Sequence, residues 1–315
     1  MRLAFAFLCI VAAASAHAQS YPSRPIRVLV PFQAGSAPDQ IIRITANHMQ
    51  TTLGQPMVIE NRPGANGNIG VAEAARAAPD GYTVVSANNT TFAANPSLFK
   101  KLPFDPQKDF APIGRFITTG LILAVRPDFP AKDLREFIAY AKANGGKLTA
   151  AQASAGMRVS IAMLRSLAGI ELVEVPYKGQ PQALSDLLGG QINITFADYA
   201  VGLPQIHAGK IRGLGVTTAK RSDAAPEIPA IGEVVQGFDL PVWAGMAAPA
   251  GTPKEMVETL WRAADKALAD PGVRKALNAM SFSVEPMNPE AFAAYIRSET
   301  VKWAKLVKEA GIEPE

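Results

Sequence analysis

The chain is poor in the residues that most often carry disulfides, zinc sites and acid–base chemistry. It has one cysteine and three histidines among 315 residues, and only 18% of its residues are charged. A single cysteine, Cys9, cannot build a disulfide framework, and a Cys/His zinc site is not expected. The net charge of +4 comes without a dense Lys/Arg run, so no nucleic-acid partner is predicted. A hydrophobic content of 48% excludes a disordered chain.

Recognisable catalytic signatures are also missing. The sequence has no G-x-S-x-G, H-E-x-x-H or P-loop motif. Its nearest approach to a dinucleotide-binding motif, Gly213-x-Gly215, has Thr218 where the last glycine should stand. His48 lies in a helical pattern and His207 near a helix end, so both are interpreted as structural. No cofactor, metal or enzymatic activity is predicted.

The first 18 residues are predicted to be a secretory signal peptide. Arg2 is followed by an apolar run over 3–14 and by Ala16-His17-Ala18, a small-x-small cleavage signal. The run is shorter than the roughly 20 residues that span a bilayer. Cys9 lacks the small preceding residue of a lipidation site, so a lipid anchor is not predicted. We therefore expect cleavage after Ala18 and a periplasmic product.

Short β-branched runs alternate with helical patterns along the chain. The predicted strands are 26–31, 57–60, 82–86, 148–152, 171–175, 192–196 and 211–217. Between them, apolar residues recur at three- and four-residue spacing, as at Ile42, Ala46, Met49 and Leu53. This alternation predicts parallel βαβ units and sheets that are covered by helices, which is an α/β fold.

Two extended stretches, 115–126 and 241–248, are longer or more irregular than the predicted strands. They lie where a chain would cross to a second α/β lobe and return. The region beyond the second stretch is more helical. There, Thr252, Pro253 and Glu255 predict a capping box with proline at the first helical position.

Five turns between a strand and a helix are rich in Gly, Ser, Thr and Asn. They are PFQAGSAPDQ (31–40), SANNTTFAANP (86–96), SAGMRVS (154–160), VPYKGQP (175–181) and FADYAVG (196–202). Ligands of open α/β sheets bind at the carboxyl ends of strands, and a helix N-terminus there offers free N–H groups. Two turns precede the first crossing stretch and three follow it. Together they predict a cleft between lobes that holds a small anion.

The order and spacing of several strings resemble one protein family over essentially the whole mature chain. These strings are YPSRPIRVLVPFQAGSAPD (21–39), VIENRPGANGNIG (58–70), APDGYT (78–83), VPYKGQPQALSDLLGGQINITFAD (175–198) and WAGMAAPAGTP (243–253). They look like the Bug family, the TctC-type solute-binding proteins of tripartite tricarboxylate transporters. The resemblance implies a type II periplasmic-binding-protein fold, with two α/β lobes, a hinge and a ligand cleft between the lobes. The expected lobes are 19–121 plus 242–315, and 122–241.

The resemblance also implies a ligand class and a set of binding residues. Family ligands are mainly dicarboxylates, tricarboxylates, acidic amino acids and aromatic acids, and bridging waters often help to hold one carboxylate. The positions that match the family's motifs, or that replace a motif residue, are Phe32, Gly35, Ser36, Ala37, Asp39, Asn68, Thr90, Thr91, Ser154, Gly156, Arg158, Tyr177, Lys178, Gly179 and Asp198. Phe32 and Phe92 are expected to shield the site.

Three positions depart from the family pattern. Ser36 stands where the family more often has a second glycine, and Phe92 replaces a histidine. Arg158 replaces a glycine in a turn that has also lost a histidine. One interpretation is that Arg158 makes a charge-assisted contact with a ligand carboxylate. The alternative is that Arg158 points to solvent.

The predicted function is capture of a small carboxylate by closure of the cleft, followed by delivery to the membrane subunits of a tripartite tricarboxylate transporter. A monomer is expected. Two alternatives stay open at this level. One is a sensor of the same fold that signals to a membrane receptor. The other is an acid–base enzyme built on Asp39 or Asp198, which is disfavoured because no base–nucleophile pair is visible.

Overall fold

The computed structural model describes residues 21–177, 179–222 and 224–314. The predicted signal peptide and Lys178 lie outside these residues. The described chain forms two β-sheets with helices packed on them, so the predicted α/β class is confirmed. Within the described ranges, no helix combines the length and apolarity needed to cross a membrane.

The first sheet has six strands and is called the six-stranded sheet. Its strands are β1 Ile26–Val30, β2 Met57–Asn61, β3 Thr83–Asn88, β4 Phe110–Thr119, β10 Val242–Pro249 and β11 Ser283–Met287. Their spatial order is β11-β4-β10-β3-β1-β2. β1 pairs in parallel with β2 and β3, whereas β10 runs antiparallel to β3 and β4. Strand β1 reads IRVLV and is almost fully buried, because helices cover both faces of its sheet.

The second sheet is called the five-stranded sheet and comes from the middle of the chain. Its strands are β5 Leu121–Val125, β6 Thr149–Gln152, β7 Val173–Pro176, β8 Ile194–Asp198 and β9 Arg212–Val216. Their spatial order is β7-β6-β8-β5-β9. β6 pairs in parallel with β7 and β8, and β5 is antiparallel to β8 and β9. The predicted strand positions are therefore close to those observed.

The chain passes from one sheet to the other at Gly120. The stretch 115–126, predicted as one extended segment, is two strands, β4 and β5, that are separated by this glycine. A Cβ at Gly120 would lie 3.0 Å from Oγ1 of Thr217 and 3.2 Å from Oη of Tyr199. Thr217 also ties the outgoing and returning chains together. Its hydroxyl accepts from Leu121 N at 2.9 Å, and its carbonyl accepts from Leu240 N at 2.7 Å.

The return segment reaches the six-stranded sheet by Val242, where β10 begins, so the predicted stretch 241–248 lies almost wholly in β10. These crossings are close to the predicted lobe boundaries, whose residue limits stay a prediction. The two connections lie side by side and are joined by hydrogen bonds. This paired connection is called the hinge below.

The α-helices follow the predicted alternation. They are α1 Ala37–Leu53, α2 Asn68–Ala75, α3 Asn95–Leu98, α4 Leu134–Ala143, α5 Ala155–Ala168, α6 Gln180–Leu188, α7 Tyr199–His207, α8 Lys254–Ala269, α9 Pro271–Ala279 and α10 Pro289–Glu309. The predicted apolar face of α1 is buried against β1 and β10. The predicted capping box at Thr252 is wrong, because its hydroxyl donates to the carbonyl of Pro249 at 2.7 Å. Pro253 precedes α8 without a side-chain cap.

Candidate ligand-binding cleft

A cavity of about 290 Å³ lies between the two sheets, beside the hinge. From the six-stranded side it is lined by the turn after β1 and by the turn after β3. From the five-stranded side it is lined by the turn after β8. The hinge and neighbouring strands form its apolar floor, whose residues are Ile117, Thr119, Gly120, Val242, Trp243, Ala244, Met280 and Phe282. This cavity is called the cleft.

The turn after β1 brings the beginning of α1 to the cleft. Phe32, Ala37 and Pro38 line the cavity. Ser36 is the N-cap residue of α1, but its hydroxyl makes no capping hydrogen bond. That hydroxyl is buried and has no partner among the described residues. Because N–H groups in the first turn of a helix lack intrahelical acceptors, this end of α1 offers unused donors to a ligand.

Asp39 holds this turn in place from behind. Its side chain is only 1% exposed and accepts hydrogen bonds from Gly35 N at 2.8 Å, Arg43 Nε at 2.8 Å and Asn61 Nδ2 at 2.9 Å. Asn61 Nδ2 also donates to the carbonyl of Phe32 at 3.0 Å. Burial alone would raise the pKa of Asp39, but these three donors outweigh it and lower the pKa below its ordinary value. The Asp39 carboxylate is therefore ionised, and these donors within the protein balance its charge.

The turn after β3 continues into a π-helical turn over Thr90–Ala94. Asn88, Asn89 and Thr90 line the cleft. Thr91 is buried, and both its amide and its hydroxyl donate to Asn88 Oδ1, at 3.1 and 3.2 Å. The expected shielding by Phe92 is wrong, because this ring is fully buried against Phe110 and does not line the cleft.

Asn68 also lies outside the cleft lining. It is buried, and its Oδ1 accepts from Asn95 Nδ2 at 2.6 Å. The same Asn95 amide donates to the carbonyl of Asn66 at 3.1 Å. Asn68 thus fixes the glycine-rich loop to the segment that follows the π-helical turn.

The turn after β8 supplies the five-stranded side of the cleft. Asp198, Tyr199, Ala200 and Val201 line the cavity, and the last three form the first turn of α7. Asp198 precedes α7 as its N-cap residue but makes no side-chain capping bond. Its carboxyl faces the cleft. The walls of the cleft desolvate this group and raise its pKa, and a hydrogen bond with the Gln180 side chain partly opposes that rise. Burial also raises the pKa of the Tyr199 hydroxyl.

The other predicted residues of the middle segment do not line the cleft. Ser154 caps α5 and accepts from Met157 N at 3.3 Å. Gly156 lies in the first turn of that helix, and Gly179 precedes α6 as its N-cap. Tyr177 donates through its hydroxyl to Asp186 at 2.8 Å. These residues hold helix ends and the segment after β7 in the five-stranded half, outside the cleft lining.

Arg158 points away from the cleft. Its Nε lies 3.7 Å from a carboxylate oxygen of Glu174, and its Nη2 donates to the carbonyl of Gly311 at 3.4 Å. Gly311 follows α10, which packs on the six-stranded sheet. The structure therefore places this guanidinium between the two halves of the molecule, outside the cavity lining.

Sequence reasoning missed the floor of the cleft. Trp243, Met280 and Phe282 belong to segments that read as ordinary core, and they reach the cavity only through the pairing of β10 and β11 with β4. Thr119 and Gly120 lie inside the stretch 115–126, which is predicted as one extended segment, so their position at the cleft is not predicted. The sequence feature that indicates the hinge is Thr-Thr-Gly at 118–120, which interrupts the apolar stretch.

A larger cavity, of about 370 Å³, lies on another side of the hinge. Most of its charged side chains form ion pairs: Arg115 with Glu285 at 3.2 Å, Arg221 with Glu233 at 2.8 Å and Asp239 with Lys302 at 3.1 Å. The cleft instead presents unused backbone donors, so it is the better candidate site. Within the described parts of the chain, no three His, Cys, Asp or Glu side chains converge as metal ligands.

Comparison with known proteins places the chain in a family. A family model described as the tripartite tricarboxylate transporter family receptor, TctC, matches residues 41–312. A UPF0065 protein of Bordetella pertussis is 36% identical over 313 residues, covering 97% of this chain and 95% of that protein. The solved periplasmic binding protein BugD is 36% identical, with a TM-score of 0.75 over 94% of this chain and 100% of that one.

Two further solved structures are similar and contain carboxylates. Rpa4515 of Rhodopseudomonas palustris, solved with adipate, is 30% identical with a TM-score of 0.79 over 94% of this chain and 100% of that one. MatC (Rpa3494) of the same species, solved with bound malate, is 32% identical with a TM-score of 0.73 over 91% and 100%. The resemblance seen in the sequence is confirmed, and with it the periplasmic-binding-protein fold. The chain belongs to the TctC family of periplasmic solute-binding proteins, which includes the Bug proteins.

Proposed function

We propose that this protein is exported to the periplasm, captures a small carboxylate in the cleft and delivers it to the membrane subunits of a tripartite tricarboxylate transporter. One observation carries the proposal. The beginnings of α1, of the π-helical turn and of α7 all face one cavity between the two sheets. Free first-turn N–H groups and the positive helix ends of α1 and α7 favour an anion at such a point, and Asn88, Asn89 and Thr90 add side-chain amides and a hydroxyl.

The similar solved proteins agree with this ligand class. Rpa4515 was solved with adipate and MatC with malate, and both share the fold over almost the whole described chain. Within this chain we assign direct ligand contact to Phe32, Ala37, Thr90 and Asp198, the predicted residues that line the cleft. Of the remaining predicted residues, Asp39, Asn68 and Thr91 hold the neighbouring turns through hydrogen bonds. A contact from Lys178 stays a prediction.

Capture follows from the way the two halves are joined. A ligand in the cleft touches turns from both sheets only when the sheets are close together, so ligand binding favours the closed arrangement. The two chain connections beside Gly120 and Thr217 are the points about which the two halves would turn. The closed protein then presents a surface that the membrane subunits can distinguish from the open one.

Calorimetry on residues 19–315 with adipate and malate tests carboxylate binding. A ligand at about 100 times its dissociation constant should also stabilise the fold by about 2.7 kcal/mol in a melting experiment. Thr90→Val removes one hydroxyl from the cleft and should weaken binding by about tenfold. Thr259→Val is the matched control, since this threonine lies on α8 outside the cleft lining and bonds to Glu255 O.

The protein should first be unfolded and refolded, so that any carried-over ligand is removed. If no mono-, di- or tricarboxylate then binds, the proposed ligand class is wrong. If both threonine variants bind like the wild type, the cleft has been assigned incorrectly. Delivery is tested separately by carboxylate uptake in cells that lack this protein, with uptake restored by the wild-type protein and poorly by Thr90→Val.

A further inference from the structure

Asp198 is an unusual residue to find in a cleft that binds acids. It ends β8, where it pairs with Leu121, the first residue beyond the hinge glycine. Its neighbours Ala197 and Tyr199 are only 3% and 2% exposed, whereas Asp198 itself is exposed and lines the cavity. The strand pairing fixes its backbone, so its carboxyl is held at the five-stranded wall, across from the turns after β1 and β3.

The rest of the described lining is neutral. Among the described residues around the cavity, Asp198 is the one with a charged side chain. On the six-stranded side Asn88, Asn89 and Thr90 provide amides and a hydroxyl. The floor is apolar and includes Ile117, Val242, Trp243, Met280 and Phe282. The cleft therefore has a donor-rich wall, an apolar floor and an acidic wall.

The surroundings of Asp198 contrast with those of Asp39. Three donors compensate the charge of Asp39, including the guanidinium of Arg43. No cation among the described residues pairs with the Asp198 carboxylate, whose side-chain partner is the neutral amide of Gln180. The backbone N of Asp198 also donates to Gln180 Oε1, at 3.4 Å. A ligand that closes the cleft would displace water from this carboxylate. Without a donor on the ligand, that displacement is unfavourable, and a second ligand carboxylate there adds like-charge repulsion.

Resting on the proposed carboxylate-binding function, we propose that Asp198 is a specificity residue that makes the cleft select acids carrying an amine over plain acids and diacids. The ligand carboxylate lies against the beginning of α1 and the side chains of Asn89 and Thr90. The ammonium group faces Asp198 and forms a charge-assisted hydrogen bond. The apolar body of the ligand packs on the floor formed by Trp243 and Phe282.

Four six-carbon acids provide a matched set of probes. Hexanoate is a plain acid, adipate carries a second carboxylate, norleucine carries an amine beside the carboxylate, and 6-aminohexanoate carries an amine at the far end. We expect one of the two amino acids to bind wild-type protein about tenfold or more tighter than hexanoate and adipate. This ranking is measured by calorimetry at neutral pH and needs no variant.

Asp198→Asn keeps the shape of the side chain and removes its charge. It should weaken the binding of the preferred amino acid by about tenfold, whereas adipate should bind with equal or higher affinity. Asp128→Asn removes the same charge from a side chain that is 70% exposed and outside the cleft lining, so it should leave all four affinities unchanged. Melting curves in the absence of ligand confirm that both variants are folded.

The outcomes separate the inference from the function on which it rests. If hexanoate or adipate binds as tightly as the amino acids, the cleft binds acids but Asp198 does not select for an amine. If Asp198→Asn leaves the ranking unchanged, the same conclusion follows. If neither these four acids nor malate binds wild-type or variant protein, the proposed function fails together with the inference.

Discussion

Asp39 and Asp198 both belong to turns that lead from a strand into a helix, yet their carboxyl groups have opposite surroundings. Asp39 is turned inward onto Gly35, Arg43 and Asn61, whereas Asp198 faces the cleft. Sequence patterns could locate both turns, because glycine, serine and proline mark them. They could not say which carboxylate faces inward, since Asn61 reaches Asp39 only after β2 has paired with β1.

At the residue scale, Asp39→Asn should lower the free energy of unfolding by about 2 kcal/mol at neutral pH, because charge-assisted hydrogen bonds to a buried group are lost. Arg43 is 45% exposed, so its share of the loss is small. Urea denaturation measures the difference. Asp128→Asn, at a side chain that is 70% exposed, should change stability by less than about 0.5 kcal/mol.

The comparison of wild type with Asp39→Asn also gives a prediction for the pH dependence of stability. The pKa of Asp39 is lowered in the folded state, so its stabilising contribution is complete above the unfolded pKa of about 3.9. That contribution is lost as pH falls through the lower folded value. The stability difference between wild type and Asp39→Asn should therefore be constant from pH 7 to about 5 and shrink in more acidic solution. A difference that grows below about pH 4 would contradict the assignment.

At the scale of elements, strands were easier to predict than the points where they are interrupted. The strands β1, β2 and β8 follow from their β-branched residues. The break at Gly120 is only weakly marked in the sequence, because β4 and β5 are both buried and join different sheets. The segment 154–160, interpreted as a turn, is mostly the first two turns of α5, because Ser154 caps a helix that begins at Ala155 and already buries Met157 and Val159.

Ser154 offers a test of capping against ligand contact. Ser154→Ala should lower the free energy of unfolding by about 1 kcal/mol, because the bond to Met157 N is lost. Ser154→Asp retains an acceptor for that amide, so it should keep stability close to wild type and leave carboxylate affinity unchanged. If Ser154 instead binds the ligand, the new negative charge abolishes binding. Melting curves and calorimetry on the two variants distinguish the roles.

The hinge carries its own prediction. In Gly120→Ala the new methyl group would press on the hydroxyls of Thr217 and Tyr199, at 3.0 and 3.2 Å. We expect a loss of about 1–3 kcal/mol in stability and weaker ligand binding, because the two halves cannot approach as before. Gly145→Ala is the control, since a Cβ there meets nothing closer than 4.0 Å. Equal effects of the two substitutions on ligand affinity would argue against a hinge at Gly120.

At the scale of the whole molecule, α10 links the two halves away from the hinge. It packs against β4 and the π-helical turn and also approaches α5. Thr300 Oγ1 donates to the carbonyl of Phe92 at 3.3 Å and so ties α10 to its own half. Arg158 on α5 reaches Gly311 just beyond α10 and makes the connection to the other half. The family resemblance implied two lobes and a cleft, but this second connection depends on tertiary contacts that no local pattern encodes.

Arg158→Ala should therefore change carboxylate affinity by less than about threefold, because the side chain lies outside the cleft lining. Arg165→Ala is the matched control, since Arg165 lies on the same helix and pairs with Glu171 at 2.8 Å. Calorimetry with the ligand that binds most tightly measures both. A loss of tenfold or more for Arg158→Ala alone would restore the direct carboxylate contact considered from the sequence.

The strand order has a consequence for how the chain folds. The five-stranded sheet is built from one continuous segment, 121–216, whereas the six-stranded sheet needs β10 and β11 from the last third of the chain to pair with β4, and β10 with β3. Pairings between distant segments form slowly, because the intervening loop must first be closed. We expect β5–β9 to gain protection from hydrogen exchange before β3 and β10 during refolding. The cleft, which needs both sheets, is completed last.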